Sequence, residues 1–218
     1  MSKMLILFPF GGNAKESLMS VFAINERTGE WEIAGFIDDD RSVHNKDCCG
    51  IKVLGGKEVL DKFPQAYVLA VPGSPSNYLK RKDIIQNLNL EKSRFATIAH
   101  PSVVIAPDAS VGCNTLLMPN VVISCEVKIG DHCVILPNTV VSHDSQVGDY
   151  CCIGSNVTVS GSVKIGENCY IGSGTKIREN VSIGEGSLVG LGSNVISDIE
   201  PGVIAVGSPA RVIRKIVS

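Results

Sequence analysis

From Ile105 to Val195 an aliphatic side chain stands at every sixth position. The series begins Ile105, Val111, Leu117, Ile123, and all sixteen of its positions hold Ile, Val or Leu. Four residues after each aliphatic comes a small or β-branched side chain, as at Thr115, Val121, Cys133, Thr139 and Val157. Three residues after each, twelve of the sixteen positions hold Asn, Asp or Gly, among them Asn114, Asn138, Asp144 and Asn168. These are the residue types that tolerate a left-handed backbone. A period of six is neither helical nor the two-residue alternation of a half-buried strand. It predicts a short strand, a corner and another short strand. Three such sides close a triangular coil, and coils stack at the inter-strand spacing of roughly 4.8 Å. The sixteen hexads amount to just over five coils.

Residues 1–98 lack this register, which divides the chain into segments 1–98 and 99–218. Lys3 to Phe10 reads as a buried strand, Asn13 to about Arg27 as a helix, and Trp31 to Ile37 as a strand ending in Asp38-Asp39-Asp40. Ala66 to Val71 is a further apolar strand, followed by Gly73-Ser74-Pro75-Ser76 and a helix through about Leu88. This order predicts a small parallel α/β unit. Gly11-Gly12 after the first strand allows close approach of a phosphate or sugar, and the following helix N-terminus favours an anion. Acids closing the second strand suit a ribose or base edge. A tight turn and a solvated acidic loop would give the same residues.

Composition narrows the class. Lys plus Arg total 20 and Asp plus Glu 22, a net charge of −2. No excess of cations exists to follow a nucleic-acid backbone. Aromatics are 5% and glycines number 22, so the core is aliphatic and repetitive. The apolar start of the chain lacks a small-residue cleavage site, and no apolar run approaches the roughly 20 residues that span a bilayer. None of the eight cysteines has CxxC spacing. Cys133, Cys151 and Cys169 are eighteen apart and predict a stack of small buried residues on successive coils. Free thiols point to a reducing, cytoplasmic setting.

The hexad pattern resembles the left-handed parallel β-helix of hexapeptide-repeat acyltransferases, which implies a homotrimer. A small Rossmann-like unit ahead of such a helix resembles the sialic-acid O-acetyltransferase family. Its relatives include N-acetyltransferases of nucleotide-activated amino sugars in bacterial surface polysaccharide (lipopolysaccharide) biosynthesis. The resemblance implies acetyl-CoA as co-substrate, no metal, and a nucleotide-linked sugar held by the first domain. The family's Gly-Gly-His-Ala-Lys-type turn maps to Gly11-Gly12-Asn13-Ala14-Lys15, with Asn13 replacing His, and its acidic cluster to Asp38 and Asp39. Its terminal segment beside coenzyme A resembles Val206-Gly207-Ser208-Pro209-Ala210-Arg211. The implied coenzyme contacts are Pro209, Ala210 and Arg211, together with position 152, where Cys152 replaces a frequent His.

Acetyl transfer needs a base for the attacking amine or hydroxyl, and an imidazole with an ordinary pKa near 6.5 serves at neutral pH. His143 lies beside a corner, where a side chain projects outward, and Asp144 follows it. The pair matches the family's His-Asp/Glu motif, which implies a general base and its supporting carboxylate. Ser142 and Leu136 depart from common family residues. Cys125, one coil below His143, reads as a small corner residue rather than an acyl carrier. Gly154, Gly172 and Gly190 recur eighteen apart and leave one face bare for a pantetheine arm or for packing. Lys164, Lys176, Arg178, Arg211 and Arg214 are candidate phosphate partners. Amine and hydroxyl acceptors both remain open. A zinc enzyme sharing the helix would need three histidines, and only His132 and His143 lie in the repeat. A scaffold or sugar-nucleotide sensor is the non-enzymatic alternative.

Overall fold

The computed structural model describes residues 2–216. The first unit is a three-stranded parallel sheet in the order β2-β1-β5, with β1 at Lys3–Phe8, β2 at Trp31–Phe36 and β5 at Tyr67–Ala70. Helix α1, Gly12–Thr28, crosses from β1 to β2 and ends on Gly29 in the left-handed conformation (φ +62°). Between β2 and β5 a short hairpin is formed by β3, Asp47–Cys48, and β4, Ile51–Lys52. The helix expected through Leu88 is shorter. A 3₁₀ turn at Tyr78–Lys80 leads into α2, Arg81–Gln86.

The rest of the chain is a left-handed β-helix of about six turns. Its strands are two residues long and recur every six residues, from Ile98–Ala99 to Asn194–Val195. Each pairs in parallel with the strand eighteen residues on, as in Val122↔Val140 and Val140↔Thr158. The coil begins one rung before the aliphatic series, because Ala99 occupies the slot that Ile, Val or Leu fills elsewhere. Three flat faces result. One runs from Val104–Ile105 to Asn194–Val195, one from Ser110–Val111 to Ser182–Ile183, and the third from Ile98–Ala99 through Leu188–Val189. An antiparallel hairpin, Val203–Gly207 with Ala210–Lys215, extends the third face and closes the last coil.

Each feature of the hexad has its physical place. The aliphatics fill the axis, with Leu117, Ile135 and Val159 fully buried. Corner residues take positive φ at every sixth position from Asn114 to Gly192. Glu126, His132, Tyr150 and Ser162 do so as well, at a cost of about 1–2 kcal/mol each for a side chain in this region. Where the residue past the corner carries a hydroxyl or thiol, it can donate a hydrogen bond across coils. Thr115 Oγ1 donates to the Gly130 carbonyl (3.1 Å), Thr139 Oγ1 to Gly154 (2.8 Å) and Ser145 Oγ to Ser160 (2.9 Å). Cys133, Cys151 and Cys169 are in the same slot, and their thiols donate to Gly148, Gly166 and Gly184 at 3.1–3.3 Å. They are free, buried packing residues.

The α/β unit sits on the third face. Leu116, Val134 and Cys152 of that face share one core with Leu7, Leu18 and Phe36. Asn114 locks the joint by accepting the Ala70 N–H and donating to the Ala70 carbonyl, both at 2.8 Å. The fully buried Arg81 donates to the Tyr150 carbonyl (3.0 Å) and the His132 carbonyl (2.6 Å). Among the described residues, no element is packed over the other two faces.

Candidate functional site

In the α/β unit, a cleft of about 460 Å³ lies at the carboxyl ends of β1, β2 and β5. Gly11, Gly12, Asn13, Asp38 and Asp39 all line it, so the structure gathers the five residues expected to hold substrate. Their roles differ. Gly12 opens α1, and a Cβ there would meet nothing within 4 Å, so packing within the protein does not require glycine. No side chain caps α1, which leaves its first-turn amides turned outward for an anion. Asp38 is a structural clamp: its two oxygens accept the Phe10 and Asp40 N–H groups, both at 2.9 Å. Asp39 accepts the Lys57 N–H at 2.8 Å. Asn13 donates to the carbonyls of Val71 (3.2 Å) and Gly73 (3.3 Å), so its amide fastens α1 to the loop after β5. That loop supplies lining the sequence reading passed over: Pro72, Gly73, Ser74 and Asn77. Its signal was the Gly73-Ser74 pair following an apolar strand.

A second centre lies on the β-helix. His143 Nδ1 is 2.7 Å from Asp144 Oδ2, and the two side chains are 59% and 49% exposed. Asp144 occupies the corner with φ +60°, and its N–H donates to the Cys125 carbonyl one coil below. The hydrogen bond from His143 holds the Asp144 carboxyl below the ordinary value of 3.8. With that carboxylate ionised, Nδ1 carries the proton and Nε2 presents a lone pair. The ring rests on Gly161 of the next coil. A Cβ at 161 would lie 2.5 Å from Cε1 and 2.6 Å from Nε2. Gly161 was missed by the sequence reading, and the signal available was its place eighteen residues after His143.

A groove of about 520 Å³ is lined by Ser160, the chain neighbour of Gly161, and by Lys176, Arg178, Glu179, Asn194, Ser208 and Pro209. Asn194 Nδ2 donates to Ser208 Oγ at 2.6 Å, which holds the tail against the groove. Pro209, expected at the coenzyme, lines this groove with two cations and one acid, Lys176, Arg178 and Glu179. Lys164 lines a different groove, on the second face.

The other residues expected at the coenzyme have the following surroundings. Cys152 is 5% exposed and packs beneath the α/β unit, where burial pushes its thiol pKa up. Gly154, Gly172 and Gly190 are explained by stacking: a Cβ would lie 2.4 Å from Ser173 N, 2.5 Å from Leu191 N and 2.6 Å from a Val206 methyl. Ala210 is buried in the β-helix core. Arg211 is exposed on the closing hairpin, and its guanidinium donates to the Ala210 carbonyl. His132 does not join His143. Its ring stacks on Tyr150 at 4.8 Å and Nδ1 accepts from Asn114. Among the described residues, no group of three or more His, Cys, Asp or Glu side chains is placed to hold a metal, and no helix is long and apolar enough to cross a membrane.

Within one chain the cleft and the dyad stay apart. The α/β unit covers the third face, while His143-Asp144 lies on the edge between the first and second faces, opposite it.

Comparison with known proteins agrees with this architecture. The bacterial transferase hexapeptide family (six repeats) matches residues 108–143, 126–161 and 162–196. No curated protein sequence matches the chain. Similar solved structures include a histidine-to-asparagine variant of perosamine N-acetyltransferase from Caulobacter crescentus in complex with CoA and GDP-perosamine. It is 25% identical, with 99% of this chain and 98% of that chain covered and a TM-score of 0.85. The acetyltransferase domain of PglB from Neisseria gonorrhoeae FA1090, in complex with acetyl coenzyme A, is 24% identical over 98% of this chain and 100% of that chain, with a TM-score of 0.85. WeeI from Acinetobacter baumannii AYE is 24% identical with the same coverage and a TM-score of 0.82. The chain thus carries the bacterial transferase hexapeptide repeat, on a fold shared almost end to end with a sugar N-acetyltransferase.

Proposed function

We propose that the protein is an acetyl-CoA-dependent N-acetyltransferase whose acceptor is an amino sugar carried on a nucleotide. The observation that carries this reading is the His143-Asp144 dyad seated on Gly161, whose chain neighbour Ser160 lines a groove together with Lys176 and Arg178. The 25%-identical solved enzyme, whose name gives it N-acetyltransfer to perosamine, supports an amine over a hydroxyl. The α/β cleft takes the nucleotide, with the diphosphate toward the α1 amides and Gly12. The groove takes the coenzyme, its phosphates toward Lys176 and Arg178 and its thioester toward His143.

His143 Nε2 removes a proton from the sugar amine as the nitrogen attacks the thioester carbonyl. Asp144 stabilises the imidazolium through Nδ1–H. Collapse of the tetrahedral adduct expels the coenzyme thiolate, which takes up the proton, so amine and acetyl-CoA become amide and free thiol. Cleft and dyad lie on opposite sides of one chain, so a shared site needs more than one chain, and the homotrimer implied by the hexapeptide-repeat resemblance would bring the dyad of one chain to the cleft of the next. Such a product belongs to surface polysaccharide synthesis in the cytoplasm.

The test is thiol release from acetyl-CoA against paired 4-amino and 4-hydroxy sugars on UDP, GDP and dTDP, with free and CMP-linked sialic acid included. Turnover with an amino sugar is expected. Turnover confined to hydroxyl acceptors would replace this reading with O-acetylation. Bound coenzyme without any turnover would favour a scaffold or sensor.

A further inference from the structure

Six of the eight cysteines belong to the β-helix segment, but Cys48 and Cys49 do not. They sit in the hairpin of β3 and β4, where Cys48 pairs with Ile51 and Cys49-Gly50 make the two-residue turn. Both turn residues have positive φ, +54° at Cys49 and +78° at Gly50. Turns of this kind favour Asn, Asp or Gly at the first position. A cysteine there is conformationally unfavourable, yet it puts a thiol at an exposed tip. The two sulfurs are 4.0 Å apart, both thiols are free, and Cys48 is half-buried beside the α/β core.

Two adjacent thiols fixed by a tight turn form a preorganised bidentate donor. Sulfur donors select soft, thiophilic centres over oxygen-seeking cations. The remaining cysteines offer no equal. Cys133, Cys151, Cys152 and Cys169 are buried, Cys113 is half-buried beside Asp131, and the exposed Cys125 has only Ser124 beside its sulfur among the described hydrogen bonds. We propose that Cys48 and Cys49 form a dithiol site for a trivalent arsenical. With phenylarsine oxide, two As–S bonds form, both thiol protons leave, and the arsenic-bound oxygen departs with them as water. Arsenic stays trivalent and no oxidant is needed. The site is independent of acetyl transfer.

Phenylarsine oxide added to the full chain is followed by intact mass and by alkylation of free thiols. The wild type is expected to retain one phenylarsenic per chain in the presence of a monothiol, to protect Cys48 and Cys49 together, and to lose it to ethanedithiol. Cys48→Ser and Cys49→Asn each leave a single thiol and raise the dissociation constant on the order of 10²-fold, the loss of a chelate. Cys49→Asn suits the turn, so its circular dichroism and thermal midpoint match or exceed the wild type. Cys125→Ser binds as the wild type does. Wild-type affinity in Cys49→Asn, loss of binding in Cys125→Ser, or no retained phenylarsenic in the wild type would each overturn the proposal.

Discussion

At the scale of single residues, Gly161 is the clearest case of a side chain excluded by a neighbour's function. Its φ lies outside the left-handed region, so the backbone does not demand glycine, and the ring of His143 is what a Cβ would strike. Gly161→Ala is expected to displace the imidazole and lower kcat about 10²-fold, as misplacement of a reacting group does. The thermal midpoint should barely move, because the clash falls on an exposed ring. His143→Asn removes the base itself and should cost about 10²–10⁴-fold in kcat with coenzyme binding retained. Thiol-release kinetics beside a thermal melt checks both, and full activity in His143→Asn would refute the mechanism. His132 makes a different kind of prediction. Burial holds its pKa below the ordinary 6.5, and Nδ1 accepts from Asn114 only while the ring is neutral. The unfolded chain therefore binds the proton more readily, so stability is full above pH 6.5 and is lost as pH falls toward the folded-state pKa. Melts recorded at pH 7.5 and below 6.5 should show a decline that His132→Gln flattens.

At the scale of the element, the coil is specified by contacts between successive turns more than by strand propensity. Two-residue strands have little intrinsic stability. What fixes them is the axis of aliphatics, the donors bonding fifteen residues on, and glycines where backbones touch. A Cβ at Gly148 would lie 2.7 Å from Glu167 N and 2.9 Å from the Gly166 carbonyl carbon. Gly148→Ala is therefore expected to cost about 1–3 kcal/mol as overpacking against backbone, which cannot yield as a side chain tip does. A urea titration measures it; a change below a few tenths would show that the coils part easily. This also explains what the sequence could reveal. The hexad is local and repeats, so aliphatics, corners and the cysteine stack were legible from Ile105 onward, and His143-Asp144 was legible because the repeat sets the pair at a corner and it matches the motif of the family the chain resembles. Gly161, Asn114 and Arg81 were not, since their partners lie 18, 44 and 51 or more residues away and belong to no motif. The glycines at 154, 172 and 190 were ambiguous for the same reason: only the distance to the next coil separates a packing glycine from a bare binding surface.

At the scale of the molecule, the arrangement of faces decides how many chains a site needs. The α/β unit is fixed to the third face by the Asn114–Ala70 bonds, the Arg81 bonds and a shared core, so the cleft cannot swing round the triangular prism to the opposite edge. On the proposed function, a sugar nucleotide in that cleft would reach a dyad only on another chain. This has a sharp consequence for mixtures of two inactive variants. His143→Asn keeps the cleft and loses the base. Gly12→Leu keeps the dyad and fills the cleft, at a position where an added Cβ meets nothing within 4 Å, so the fold is expected to survive. Each variant alone should be inactive. Co-refolded in equal amounts into cyclic trimers, a site is native only where a chain with an intact dyad precedes one with an intact cleft, which holds for about one interface in four. Thiol release should therefore recover to about a quarter of the wild-type rate, and should stay at background when the two variants are mixed after assembly. No recovery from co-refolded material of confirmed mixed composition would mean that cleft and dyad serve the same chain, and would overturn the shared site.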